Sequence, residues 1–161
     1  MRTITVYHFD ELPADVQEKV INKYGEDTIP DEWWDQDYED ALNVGIRITG
    51  HDVGRGDSIT GEFNDLGIVA NNILTEHGET TTTWFIAKQY TDAHLATIGS
   101  NVDDDTLDEM LQTLHERFEK DILNEYLKML RNTYEHLHTD EAIREYLNDS
   151  NWEFTIDGKK I

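Results

Sequence analysis

Residues 106–136, TLDEMLQTLHERFEKDILNEYLKMLRNTYEH, decide the fold, because their apolar positions recur at threes and fours for longer than any other segment of the chain. Leu107, Leu111, Leu114, Phe118 and Ile122 form one set, and Leu123, Tyr126, Leu127, Leu130, Tyr134 and Leu137 take over from it. A helix of about 103–137 is therefore expected, with a stripe wide enough to meet both a sheet and another helix. Its aromatics interrupt a clean coiled-coil seam. Asn101-Val102-Asp103-Asp104-Asp105 leads into it, placing negative charge where the helix dipole favours it.

Working outward, shorter helices are expected around Val16, Val20, Ile21 and Tyr24, around Leu66, Val69, Ala70, Ile73 and Leu74, and from Trp84 through Phe85, Ala87, Tyr90 and Leu95 towards Ile98. A last short helix carries Ile143, Tyr146 and Leu147 behind Thr139 as N-cap. Two strands, Ile46 to Asp52 and Ser58 to Phe63, flank Val53-Gly54-Arg55-Gly56-Asp57, whose glycines favour a hairpin; Gly50 and Gly61 are candidate bulge positions. Alternation in residues 2–9 and in Trp152, Phe154 and Ile156 predicts a first and a last strand, paired in one sheet. The expected architecture is a single α+β domain over 1–161, a small antiparallel sheet against several helices.

Asp31-Glu32-Trp33-Trp34-Asp35-Gln36-Asp37-Tyr38-Glu39-Asp40 holds six carboxylates and three large rings in ten positions. Read as a helix over roughly 31–44 with Asp31 as cap, it places Trp34, Tyr38, Ala41, Leu42 and Gly45 on a core stripe. Asp31, Asp35 and Glu39, with Glu32 beside them, then run up a solvent face. Carboxylates at such spacing lie about 5–6 Å apart, comparable with successive phosphates of a nucleic-acid strand. Residues 31–65 contain ten acids against two bases, Arg47 and Arg55. The candidate partner-binding face is therefore Asp31, Glu32, Asp35, Asp37, Glu39 and Asp40, with Asp103, Asp104 and Asp105 as a second patch.

Thirteen Lys and Arg face thirty-five Asp and Glu, a formal net charge of −22. That charge argues against direct binding of nucleic acid or anionic membrane, both of which need cationic surface, and points to a basic protein partner. Absence of cysteine fits a reducing compartment and removes thiolate chemistry. The alternating N-terminus and the lack of a long apolar run lead to the expectation of a cytoplasmic protein. No HExxH, GxSxG, P-loop or GxGxxG occurs. A calcium loop starting at Asp52 fails on spacing, since Asp57 and Phe63 stand where Gly and Glu are needed. Arg55-Gly56-Asp57 reads as hairpin chemistry, and His136 and His138 as helix-end residues. No catalytic residue, metal or cofactor is expected.

Tyr7-His8-Phe9-Asp10-Glu11-Leu12, a helix ending in Tyr24, Trp33-Trp34 with Tyr38-Glu39-Asp40, and the closing Asn151-Trp152-Glu153-Phe154-Thr155 with Gly158-Lys159-Lys160 resemble a group of small acidic proteins encoded by phages and prophages. The resemblance covers the first third and the last tenth of the chain and carries no catalytic residue. It implies a phage accessory protein acting on host machinery. Two readings follow: a non-enzymatic inhibitor whose negative surface mimics nucleic acid before a host nucleic-acid-binding protein, such as a CRISPR or restriction factor, or an antitoxin-like or homodimeric interaction module, joined through 106–136, whose acidity serves solubility.

Overall fold

The computed structural model describes residues 3–161. In chain order the helices and strands are α1 (Ala14–Tyr24), α2 (Asp35–Val44), β1 (Ile46–Asp52), β2 (Ser58–Phe63), α3 (Leu66–Glu76), α4 (Thr82–Ile98), α5 (Asp104–Leu137) and α6 (Asp140–Asp149), with 3-10 turns at Phe9–Glu11 and Gly25–Thr28. This is an α+β fold. The 34 residues of α5 span about 51 Å at the α-helical rise, matching the periodic stretch that announced them. Side chains cap three helices: Thr139, the expected cap, accepts from Ala142 N, and Asp65 and Thr81 do the same for Ile68 N and Trp84 N.

The chain divides into two compact units, a central one of Trp34–Arg131 and a terminal one made of the described residues up to Trp33 together with Asn132–Ile161. The core of the central unit is drawn from α2, β1, α3, α4 and α5, with Val44, Ile46, Val69, Ile73, Ile122 and Tyr126 wholly buried. β1 and β2 pair antiparallel, Ile46 opposite Phe63, with a register shift between Ile48 and Gly50 that makes Thr49 the extra residue. Gly61 serves a different end: a Cβ there would lie 3.0 Å from Leu123 of α5, so its bareness lets the long helix approach the strand. In the hairpin loop, Gly54 has φ 117°, and Asp57 pairs with Arg131.

The terminal unit packs Phe9, Leu12, Val16, Val20, Ile21, Ile143, Leu147 and Phe154 together. Here the expected first and last strands are not formed. Tyr7 and Phe154 exchange both backbone hydrogen bonds at 2.8 Å as an isolated bridge, and Phe154 bridges Lys160 on its other side. Ile4, Val6 and Ile156 are exposed; Arg2, the start of the expected strand, lies outside the described residues. Alternation gave these segments a face, but of the alternating apolar residues only Phe154 is fully buried, with Trp152 partly buried against the same core. Lys160 Nζ caps the Trp152 ring from 3.5 Å.

The first helix begins behind a separate turn. Phe9–Glu11 forms a 3-10 turn, Pro13 occupies the N-cap and α1 starts at Ala14. The Gln17 amide donates to the carbonyls of Phe9 and Leu12, holding the turn against the helix. His8 fastens the same segment, its ring nitrogens 2.8 Å from the Ser150 carbonyl and 2.7 Å from Asp10. The Ser150 carbonyl first, then Asp10, raise the His8 pKa.

A raised folded value means that the His8 contribution to stability is complete below the unfolded value of about 6.5 and is lost as pH rises through the folded one. Replacing His8 by Asn is thus expected to lower the urea midpoint more at pH 5.5 than at pH 8. Gly158→Ala should destabilise by about 1–3 kcal/mol in the same assay. Its φ is 89° and an added Cβ would sit 3.0 Å from Val16 and 3.1 Å from Val20.

Candidate acidic interaction surface

The acidic block does not fold as one helix. Glu32 takes a left-handed φ of 56°, so the residues before Asp35 form a turn and α2 begins four residues after Asp31. Trp34, with no capping side chain, takes the place expected of Asp31. The two tryptophans part company: Trp33 stacks near Tyr134 in the terminal unit at 5.5 Å, while Trp34 packs on Tyr38 and His51 in the central unit.

Helix α2 is also turned from the expected orientation. It buries Ala41 and Val44, with Tyr38 half-buried beside them, and leaves Leu42 56% exposed. Turning that face inward carries Asp37 and Asp40, at the helical spacing of Ala41 and Val44, into half-buried positions. Asp35 and Glu39 remain outward, one turn apart and exposed. Of the six block acids, Asp31 and Glu32 fall in the terminal unit, Asp35 and Glu39 form the outer pair of α2, and Asp37 and Asp40 line its inner side.

Asp40 meets two residues that sequence spacing does not connect to it. The hydroxyl of Tyr126, a ring with no exposed surface, donates to Asp40 Oδ2 at 3.1 Å. Burial first, then the Asp40 charge, push the Tyr126 pKa up. His77 Nε2 lies 3.6 Å from the same oxygen, without a hydrogen-bond partner, while His77 Nδ1 is 2.6 Å from Thr83 Oγ1. Thr83, His77 and Asp40 thus stand in the order of a hydroxyl nucleophile, its base and an orienting acid. Thr83 is 1% exposed and donates to Thr81, and the Asp40 oxygen already serves Tyr126. A substrate cannot reach that hydroxyl, so the arrangement ties α2 to α3, α4 and α5. The signal in sequence was faint: Asp37, Asp40, Ala41 and Val44 share helical spacing, but nothing local marks the distant donor.

A second polar pair holds α2 to the hairpin. Tyr38 OH and His51 Nδ1 are 2.6 Å apart, and burial raises the tyrosine pKa and lowers that of the histidine. In the second patch, Asp103 accepts from Thr106 N at 2.7 Å and caps α5; the Thr106 side chain and then its backbone lower the Asp103 pKa. Asp104 and Asp105 are exposed in the first turn.

Among the described residues, Asp31, Glu32, Asp35, Glu39, Asp103, Asp104 and Asp105 make no ion pair with Lys or Arg. Six bases are engaged elsewhere: Arg47 with Glu62, Lys88 with Asp92, Arg117 with Asp121, Lys128 with Glu125, Arg131 with Asp57 and Arg144 with Glu18. Asp57, the acid of the Arg55-Gly56-Asp57 tripeptide, is among those paired. No group of three or more His, Cys, Asp or Glu that could hold a metal occurs among the described residues. None of their helices is long and apolar enough to cross a membrane. The chain matches no family model, no curated protein and no solved structure.

Tyr126→Phe is expected to cost about 1–3 kcal/mol in urea unfolding by stripping a half-buried carboxylate of its donor, whereas Asp35→Asn should stay within about 0.5 kcal/mol. Because the folded pKa of His51 is depressed, its contribution is present above the unfolded value near 6.5 and is lost as pH falls below it. An NMR titration should place its midpoint below that of His8.

Proposed function

We propose that this chain is a non-enzymatic acidic inhibitor of the phage type. In this reading its anionic surface occupies the basic, nucleic-acid-binding site of a host defence or DNA-processing protein. The observation that carries the reading is the pair Asp35 and Glu39, outward and one helical turn apart, without a Lys or Arg to neutralise either. Adjacent carboxylates at that spacing offer a cationic groove two fixed negative charges about 5–6 Å apart. The exposed Asp104 and Asp105 extend the field, and the surplus of acids steers a basic partner from a distance set by the ionic strength. The sequence resemblance supplies the genomic setting; the uncompensated carboxylates supply the chemistry.

The test is retention of host lysate proteins on the immobilised chain, followed by elution with salt or with a short DNA duplex. A nucleic-acid-binding protein should be retained, released by either eluent and hindered in binding its own DNA. Asp35→Lys with Glu39→Lys, at exposed positions, should weaken that capture at least tenfold while leaving the unfolding midpoint close to the parent's. Equal capture by the reversed variant, or a complex that DNA does not displace, would count against the reading.

A further inference from the structure

The first turns of α5 are built unlike the rest of that helix. Its buried side chains begin at Phe118, and the 14 residues from Asp104 to Arg117 bury none completely. Leu107, Met110, Leu111 and Leu114 nevertheless lie on one helical stripe, with Met110 38% exposed. Immediately before them in the chain, Leu95 is 65%, Ile98 54% and Val102 40% exposed. An apolar stretch therefore runs from the end of α4 through the connecting loop into α5 without a covering element in the core of the central unit.

Leu114, the last member of the α5 stripe, lines a cavity of about 360 Å³ between α4 and α5 together with Ile86, Tyr90, Ala93, Arg117 and Phe118, whereas Leu95 faces α3 beside Asn71 and Leu74. Tyr90 and Phe118 stack at 4.4 Å to form a rigid aromatic wall. A cavity of this kind suits an anchoring apolar side chain. Acids dominate the surrounding charge. Residues 89–116 contain Asp92, Asp103, Asp104, Asp105, Asp108, Glu109 and Glu116 and no Lys or Arg, while Arg117, which also lines the cavity, is paired with Asp121.

We propose that the end of α4, the following loop and the first turns of α5 dock a basic amphipathic helix of a partner protein. This deepens the acidic-inhibitor reading and rests on it, since it names the kind of segment that the partner would offer. Charge complementarity selects the occupant. A second copy would bring the same seven acids against this surface and only Arg117, already paired with Asp121, to meet them, and nucleic acid or an anionic bilayer would be repelled likewise. A Lys- and Arg-rich helix has the opposite sign and can place apolar residues at i, i+3, i+4 and i+7 along the stripe. The segment of α5 involved is about 21 Å long, the length of a helix of some four turns.

The probe is an 18-residue Lys/Leu peptide with one apolar helical face, labelled for fluorescence anisotropy, against a scramble of identical composition lacking that face. The full-length chain should bind the amphipathic peptide at least tenfold more tightly, which corresponds to about 1.4 kcal/mol. Ile98→Ser with Met110→Gln should remove that preference. So should Asp108→Lys with Glu109→Lys, which leaves every apolar residue in place. Leu42→Asn, at an exposed apolar position on α2, should change nothing. Equal affinity for the two peptides, or a preference that survives both double variants, overturns the docking surface. A chain dimer in sedimentation that Ile98→Ser with Met110→Gln dissolves overturns it too, because the occupant is then a second copy. Loss of peptide preference while the lysate partner is still released by DNA removes this surface alone. Failure of Asp35→Lys with Glu39→Lys to affect lysate capture removes the reading beneath it.

Discussion

Burial of Tyr126 is the constraint on which the central unit turns. Its ring belongs to the same core as Ile122 and Phe118, one and two helical turns back along α5, and its hydroxyl must find an acceptor inside. Asp40 provides it, and doing so fixes which side of α2 faces in. Once Asp40 and Asp37 are drawn inward, Asp35 and Glu39 have no choice but to face out. The exposed acid pair is thus a consequence of a part-buried hydrogen bond whose donor, Tyr126, lies 86 positions beyond Asp40 in sequence. A buried hydroxyl left unpaired costs more than the bond contributes when made, so the orientation is held by avoidance of that penalty as much as by attraction.

Such long-range determination explains what the sequence disclosed and what it withheld. The long helix was legible because its period persists over many turns, and the hairpin because Gly54 and Gly56 favour the turn between two strands. The cap at Thr139 was legible as local chemistry. Helix α2 was misjudged in rotation: Tyr38 and Ala41 were placed on the buried side, as found, but exposed Leu42 was grouped with them and buried Val44 was left off the stripe. Tyr126 decided otherwise. The terminal segments failed for a related reason: a period of two states which face is apolar, never whether a neighbouring strand is present to pair with it. Exposed Leu95 and Ile98 belong with these, as apolar residues whose spacing fits a core that does not cover them.

The outward acids come at a cost. Like charges one turn apart weaken an isolated helix by about 0.2–0.5 kcal/mol, and α2 has only ten residues with which to absorb it. Asp35 recovers part through its place in the first turn, where the dipole favours it; Glu39, beyond that turn, does not. What keeps α2 helical is tertiary: Tyr38 on His51, Asp40 under Tyr126, and Gly45 closing the helix in a left-handed conformation with φ 98°. The rest of the fold therefore supports a charge arrangement that the helix alone would disfavour.

The same logic applies at the far end of the central unit. A surface bearing seven acids, with Arg117 already paired to Asp121, is well hydrated, and a solvated carboxylate has no need of exposed leucine, isoleucine, valine and methionine beside it. Charge of one sign opposes the approach of a second copy, so apolar residues beside it are screened from self-association more than they would be on a neutral surface. In the proposed docking a partner that brings positive charge would remove that screen only for itself. Charge would then select which surface approaches, and the apolar stripe and its cavity whether it stays: the association rate would belong to the acids, and the dissociation rate to Ile98, Met110 and their neighbours.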